Sequence, residues 1–221
     1  MDVSHLVQTI AIYALPVLFA ITLHEAAHGY VARHFGDMTA FAQGRISINP
    51  ARHIDILGTI VVPITILAVS TLAGGAGLLF GWAKPVPVNY SALRRPRQNM
   101  LWVAAAGPAA NLAMAIGWAL LLKIFLVVPD NSFSVPMRLM CEAGMMVNVV
   151  LMLLNLLPIL PLDGGRIVAS LLPSRIAWGY AKLEPLGFPI LLVLLFTSAL
   201  GVILAPMVNF SFRVLGTVFQ I

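Results

Sequence analysis

Long apolar runs separated by short polar loops dominate this chain. The runs fall at Leu6–His28, Ile56–Phe80, Met100–Val128, Leu139–Leu160 and Leu186–Met207. Each approaches or exceeds the roughly 20 residues that a helix needs to cross a bilayer. The final stretch, Asn209–Ile221, is too short to span and is left unassigned. Two places carry an extended rather than a helical pattern. Gly44–Pro50 (GRISINP) alternates apolar and polar residues with period two. Pro85–Asn89 (PVPVN) has two prolines, which fit an edge strand and not a central one. Both flank Ile56–Phe80, so they predict a small β element beneath it. Its open edge would offer a docking rail for an unwound peptide.

Composition agrees with the pattern. Of 221 residues, 60% are hydrophobic and only 10% charged, against roughly 25% charged in a soluble domain. The mean hydropathy is +0.96. The expected fold class is an all-α polytopic membrane protein, a helical bundle forming one integral-membrane domain over residues 1–221. There is no room for a sizeable soluble domain. The first run lacks a basic n-region and is read as a retained span, not a signal peptide. Cys141, the single cysteine, excludes an intramolecular disulfide and reads as a small core residue.

Charge then sets orientation. The net charge of +5 does not point to nucleic acid, because the basic residues cluster in a few loops. Arg33, Arg45 and Arg52 follow the first run, Lys84, Arg94, Arg95 and Arg97 precede the third, and Arg166, Arg175 and Lys182 follow the fourth. Pro129–Pro136 carries Asp130 and no basic residue. The positive-inside rule makes the three basic loops cytoplasmic and Pro129–Pro136 external, with the N-terminus outside. A parity conflict follows, because Ile56–Phe80 lies between two basic loops. Pro63 and the cluster Gly74-Gly75-Ala76-Gly77 favour a re-entrant segment that enters and leaves on the cytoplasmic side.

The chemistry sits at the end of the first run, where residues 24–28 read His-Glu-Ala-Ala-His. On a helix, His24 and His28 share a face and can grip one metal ion, with Glu25 turned about 100° away towards water held at that metal. Ionisable side chains in or beside hydrocarbon are functional suspects by default. A catalytic zinc usually has three protein ligands and one open position. His34 has the spacing of the HExxHxxGxxH pattern, but Val31 stands where that pattern needs glycine, and a continuous helix turns His34 about 80° off the face. His53, beside Arg52, reads as a surface or topology residue. The better third ligand is Asp163, in Asn155-Leu156-Leu157-Pro158-Ile159-Leu160-Pro161-Leu162-Asp163-Gly164-Gly165-Arg166. Two prolines break the helix there, and two glycines let the chain turn and approach closely. The topology brings the first and fourth runs inward, so both motifs arrive near the cytoplasmic face.

At these residues the chain resembles the site-2 protease family of intramembrane zinc metalloproteases. HEAAH followed by NLLPILPLDGGR carries the resemblance, together with Gly107-Pro108-Ala109-Ala110-Asn111, which is similar to the family's GPxxN motif. Phe80–Asn89 (FGWAKPVPVN) resembles the compact bacterial and archaeal subgroup. The sequence departs from larger members in lacking a PDZ-like insertion or a CBS-like domain. The resemblance implies one zinc ion on His24, His28 and Asp163, Glu25 as the catalytic carboxylate, and substrate or oxyanion contacts near Asn155. Asn111 is implied as a structural or site-lining residue and is taken, with Asn155, as a candidate substrate contact.

The expected function is hydrolysis of peptide bonds in or near transmembrane helices of other proteins, in the cell membrane, with the active site towards the cytoplasm. The expected partners are transmembrane protein substrates and the lipid bilayer. A divalent-metal transporter is the alternative class, but the external half offers few ligands and no inverted repeat is visible. Asn148 reads as an interhelical hydrogen-bonding residue. Glu142 is expected to pair with Arg138 at i,i+4 spacing.

Overall fold

The computed structural model describes residues 3–53, 55–62, 65 and 84–221. Its α-helices there are α1 (Val3–His34), α2 (Thr39–Ala42), α3 (Pro96–Leu126), α4 (Ser134–Asn155), α5 (Asp163–Leu171), α6 (Ser174–Ala181), α7 (Glu184–Phe196) and α8 (Ala199–Phe219). Among the described residues, four segments are long and apolar enough to cross a membrane: Val7–His34 of α1, and α3, α4 and α8. Helices α6 and α7 form a pair bent by 59°. The chain is therefore a multi-pass membrane protein.

Local chemistry explains the helix boundaries. Pro96 opens α3 at a position where its missing N–H costs nothing. Before α4, the Asn131 side chain accepts from the amides of Phe133 and Ser134, at 2.8 Å each, which satisfies donors that a helix start leaves open. Between α3 and α4 the core is built from small and slender side chains. Ala115, Ala119, Cys141, Met145 and Val149 are buried there, with Leu204 and Leu215 of α8 against them. Gly144 lets the Trp118 ring lie on the α4 backbone, since a Cβ would stand 2.5 Å from the ring's Cγ. Close backbone approach of this kind suits helices that associate in lipid, where packing replaces the hydrophobic drive.

The loops carry the main departures from expectation. Among the described residues there is no strand, so the cytoplasmic β element is not formed there. Gly44–Pro50 and Lys84–Asn89 do come together, but through side chains. The Arg45 guanidinium donates to the carbonyls of Lys84 (2.9 Å) and Pro85 (3.3 Å). Pro85 and Pro87 have no N–H to give to a ladder, and the Val86 and Asn89 amides are committed to carboxylates instead. Most of the expected re-entrant segment, Ile56–Phe80, lies outside the described residues. Its flanks nevertheless meet, because the Lys84 amide donates to the His53 carbonyl at 2.9 Å.

Three further readings need correction, and one unassigned stretch gains a structure. The run Leu186–Met207 is not one helix. It breaks at Thr197–Ser198, where Ser198 takes a left-handed φ of 59°. The break hides in a hydropathy trace because only two small polar residues make it. Asn209–Ile221, unassigned from sequence, is mostly the second half of α8. Arg138 does not pair with Glu142. It meets Asp130 at 2.6 Å and the carbonyls of Phe125 and Val128, where α3 leaves acceptors open. His53 is buried, with Nε2 at 2.8 Å from the Ser47 carbonyl, and is not a surface residue.

Candidate metal centre and active site

Helix α1 brings His24 and His28 to one face, and α5 begins at Asp163 opposite them. The three side chains offer ligand atoms within 4.8 Å of one another, and all three are about nine-tenths buried. The two Nε2 atoms lie 3.1 Å apart. His24 Nε2 is 3.2 Å from Asp163 Oδ2, and His28 Nε2 is 3.3 Å from Asp163 Oδ1.

The hydrogen bonds behind the imidazoles fix what those atoms can do. His28 Nδ1 lies 2.7 Å from the Val103 carbonyl. A carbonyl only accepts, so Nδ1 carries the proton and a neutral ring presents a lone pair at Nε2. His24 Nδ1 lies 2.6 Å from Asn111 Oδ1. That amide is oriented by its own donors, since Asn111 Nδ2 gives to the Ala20 carbonyl (3.3 Å) and to Asn148 Oδ1 (3.0 Å). Asn148 is oriented in turn, because its Nδ2 donates to the Gly144 carbonyl at 2.8 Å. The chain Gly144–Asn148–Asn111–His24 thus turns a second lone pair towards Asp163. Metal-ligating histidines are held in this way, with the other ring nitrogen donating to a carbonyl or carboxylate.

A zinc ion fits this donor set. Two neutral imidazole lone pairs 3.1 Å apart repel unless a cation lies between them. Asp163 Oδ2 is buried and accepts no hydrogen bond. Tetrahedral bonds of about 2.0–2.1 Å imply ligand–ligand edges of roughly 3.3–3.4 Å, close to the three separations found.

Glycines permit the approach. A Cβ at Gly107 would strike both imidazoles, at 2.5 Å from His24 Cε1 and 2.6 Å from His24 Nε2. Helix α3 can therefore back onto the site only with glycine there. Past α4, the Pro158–Leu162 turn folds under α5. A Cβ at Gly164 would collide with the Leu156 and Leu157 carbonyls, and one at Gly165 would stand 2.6 Å from the Leu160 nitrogen. These contacts seat the start of α5, and with it Asp163.

Glu25 is held apart from the metal face. Its Oε2 accepts from the Val86 amide at 2.7 Å. Val86 belongs to an extended strap, Lys84–Asn89, laid over α1. At Gly29 a Cβ would stand 2.9 Å from Ile46 and 3.3 Å from Val86 side-chain carbons, so both loops rest on that glycine. Asp37 anchors the far end of the strap. Its Oδ2 accepts from the Asn89 amide (2.6 Å) and its Oδ1 from the Thr39 amide (2.9 Å). Burial pushes the Asp37 carboxyl up, but the bonds from Thr39 and Asn89 outweigh it and leave the group below its ordinary value.

A family model described as peptidase family M50 matches residues 128–198. A Bacillus subtilis (strain 168) protein named "Putative zinc metalloprotease YwhC" is 38% identical over 203 residues, covering 88% of this chain and 84% of its own length. The chain belongs to peptidase family M50. Proteins of the same description named Rip2 also match. The one from Mycolicibacterium smegmatis is 32% identical, with 83% of this chain and 66% of the relative covered, and that from Mycobacterium tuberculosis (strain H37Rv) is 28% identical over the same shares. No solved structure matches. The chain is thus an intramembrane zinc metalloprotease, and nothing in these relatives favours a transporter.

In this M50 peptidase, His24, His28 and Asp163 come together, and Glu25 follows His24 on the same helix. Asn111 stands behind His24 with its whole amide engaged and no exposure, which makes it a partner of the imidazole. Asn155, the last residue of α4, is half-buried, and its Nδ2 bonds the Leu151 carbonyl at 3.0 Å. His34 is exposed beside Phe35, at the far end of α1. Sequence reasoning identified Asn148 as interhelical but not as the residue that orients Asn111. It gave Gly107 no role of its own, although a glycine four residues before an Asn within an apolar run was a usable signal. The Val86 amide could not have been found, because a backbone donor has no residue signature.

Proposed function

We propose that His24, His28 and Asp163 hold the catalytic zinc and that Glu25 is the general base and acid of peptide-bond hydrolysis in membrane-spanning segments of other proteins. The convergence of three ligand atoms within 4.8 Å, with both Nδ1 positions committed to carbonyl oxygens, carries this reading. When bound, zinc polarises the scissile carbonyl and acidifies water.

The remaining work falls to the chain. Asn111 and the Val103 carbonyl keep both imidazoles in the Nδ1–H form. Glu25 Oε2 is fixed by the Val86 amide, which leaves Oε1 to take a proton from water and deliver it to the leaving amine. Asn155 lies where α4 ends and the Asp163 segment begins, and its Oδ1 is proposed to receive the substrate backbone. A substrate helix must unwind to expose its carbonyl, so helix-breaking residues near the cut are expected. The basic loops support a site facing the cytoplasm, and the contact of His53 with Lys84 supports a re-entrant course for the segment between them.

The test uses purified protein and a panel of transmembrane peptides. Glu25→Gln should retain one zinc per chain by elemental analysis while cleavage falls by about 10²–10⁴-fold. Asp163→Ala should lose zinc, and His34→Ala should keep it. Full zinc in Asp163→Ala, or unchanged cleavage by Glu25→Gln, refutes the assignment.

A further inference from the structure

The outer half of the bundle, away from the metal site, carries an acidic and a basic side chain that have no use in the proposed chemistry and no partner among the described residues. Among the described acidic side chains, Glu142 alone accepts no hydrogen bond and forms no ion pair. It is exposed on α4, eight residues past Ser134, or roughly 12 Å along the helix. Arg213 of α8 is exposed as well, and among the described residues its guanidinium has no partner. It lies six residues before Phe219, roughly 9 Å along the helix. The last turns of α8 lie beside the first turns of α4, where Phe212, Gly216 and Ile221 share a cavity wall with Leu139 and Glu142. The two charges therefore sit at one level of the membrane.

They also belong to one continuous surface. Glu142 lines a cavity of about 510 Å³ with Tyr13, Leu139, Phe212, Gly216 and Ile221. Arg213 lines a neighbouring cavity of about 630 Å³ with Asn209 and Thr217, and that cavity shares Phe212, Gly216 and Ile221 with the first. Asn209, Arg213 and Thr217 recur at i, i+4 and i+8, which puts a polar stripe on one face of a spanning helix. The Asn209 amide is exposed and, among the described residues, unbonded too. Lys123 differs, because it stands three residues from the end of α3 and its long stem can carry the charge to the interface.

An unpaired carboxylate and an unpaired guanidinium at hydrocarbon depth are both costly, and such groups pair with one another. Within the described chain no ion pair joins them. A two-fold axis along the membrane normal keeps every residue at its own depth and sets position i against j and j against i. A face that carries opposite charges at one level is complementary to itself under that operation. We infer that the α4–α8 face is the interface of a homodimer, with Glu142 of each copy paired to Arg213 of the other across the two cavities. Such a dimer would form whether or not the zinc assignment holds.

The test is reciprocal charge reversal in liposomes, with two differently tagged copies and zinc content as the check on folding. Wild-type copies should co-purify and show energy transfer between labels. Glu142→Arg alone and Arg213→Glu alone should each lose the dimer, since like charges then meet twice. Mixing the two variants should restore it, because each of the two contacts in the mixed pair again joins one carboxylate to one guanidinium. The milder Glu142→Gln and Arg213→Gln, with zinc retained, should raise the protein-to-lipid ratio needed for dimerisation by about 10-fold or more, as two equivalent polar contacts are lost. A wild-type monomer at all ratios overturns the proposal, as does a dimer indifferent to either charge. Single variants that fail without rescue by mixing also overturn it, and would show that the charges serve one chain or a different membrane partner.

Discussion

Replacing Asn111 with alanine separates a residue that holds the metal site from one that touches substrate. The substitution removes the acceptor 2.6 Å from His24 Nδ1 and the donor that reaches Asn148 Oδ1 and the Ala20 carbonyl. Asn111 is fully buried, so water cannot easily replace it. Leaving the His24 N–H unpaired costs about 1–3 kcal/mol. Loss of such an outer partner of a metal-bound histidine typically weakens metal affinity by about 10–100-fold, which corresponds to roughly 1.4–2.7 kcal/mol. The two routes to the magnitude agree. The assay is zinc competition against a chelator of known affinity, run on purified protein in detergent. Asn148→Ala is the internal control. It deletes one bond to Asn111 but leaves the His24 acceptor in place, so its zinc affinity should fall between wild type and Asn111→Ala. If Asn111→Ala binds zinc like wild type and changes only KM, then Asn111 is a substrate contact and the tautomer argument fails.

Two other outcomes are expected. Gly107→Ala puts a methyl against both imidazoles, so zinc content and cleavage should fall together while Gly117→Ala, where a Cβ meets nothing within 4 Å, leaves both unchanged; retained zinc in Gly107→Ala would show that α3 can withdraw. Asp37 has a carboxyl pKa lowered by folding, so its contribution to stability is present above the unfolded carboxylate value of about 4 and is lost as pH falls through the lower folded value. Asp37→Asn should therefore lower the melting temperature near neutral pH and flatten its decline on acidification below about pH 4, and parallel melting curves for both proteins would remove Asp37 from the acid response.

Much of the candidate site was legible because its constraints are local. Two imidazoles four residues apart need only a helix to share a face, and α1 supplies it from Val3 to His34. Asp163 was legible because prolines and glycines concentrate around it, and each glycine has a place in the turn: Gly164 and Gly165 meet backbone that no side chain could approach. The extended strap was legible as conformation but not as pairing. Alternation and proline content predicted extended backbone at Pro85–Asn89, yet period two cannot say which acceptors the amides will find. Here Val86 and Asn89 found the carboxylates of Glu25 and Asp37, 61 and 52 residues away in sequence. The split of Leu186–Met207 was illegible for the opposite reason. Hydropathy averages over a window, and a two-residue break at Thr197–Ser198 disappears into the leucines around it.

Polar residues inside the spanning helices hold more information than that window retains, provided each is asked where its hydrogen bonds go. In hydrocarbon, an unmet polar group is expensive enough that a partner must exist somewhere. For Asn111 and Asn148 the partners lie within the bundle and lead to His24. For Asp163 the facing groups are two imidazole lone pairs, which cannot donate to it, and a metal between them would complete the set. The same question asked of Glu142 and Arg213 finds no answer within the described chain. That failure has the same logical weight as the orphaned Asp163 oxygen, and it points outward from the bundle where the other points inward. Sequence spacing alone cannot tell the two cases apart, since both look like isolated charges in apolar runs; the distinction lies in which helix faces them.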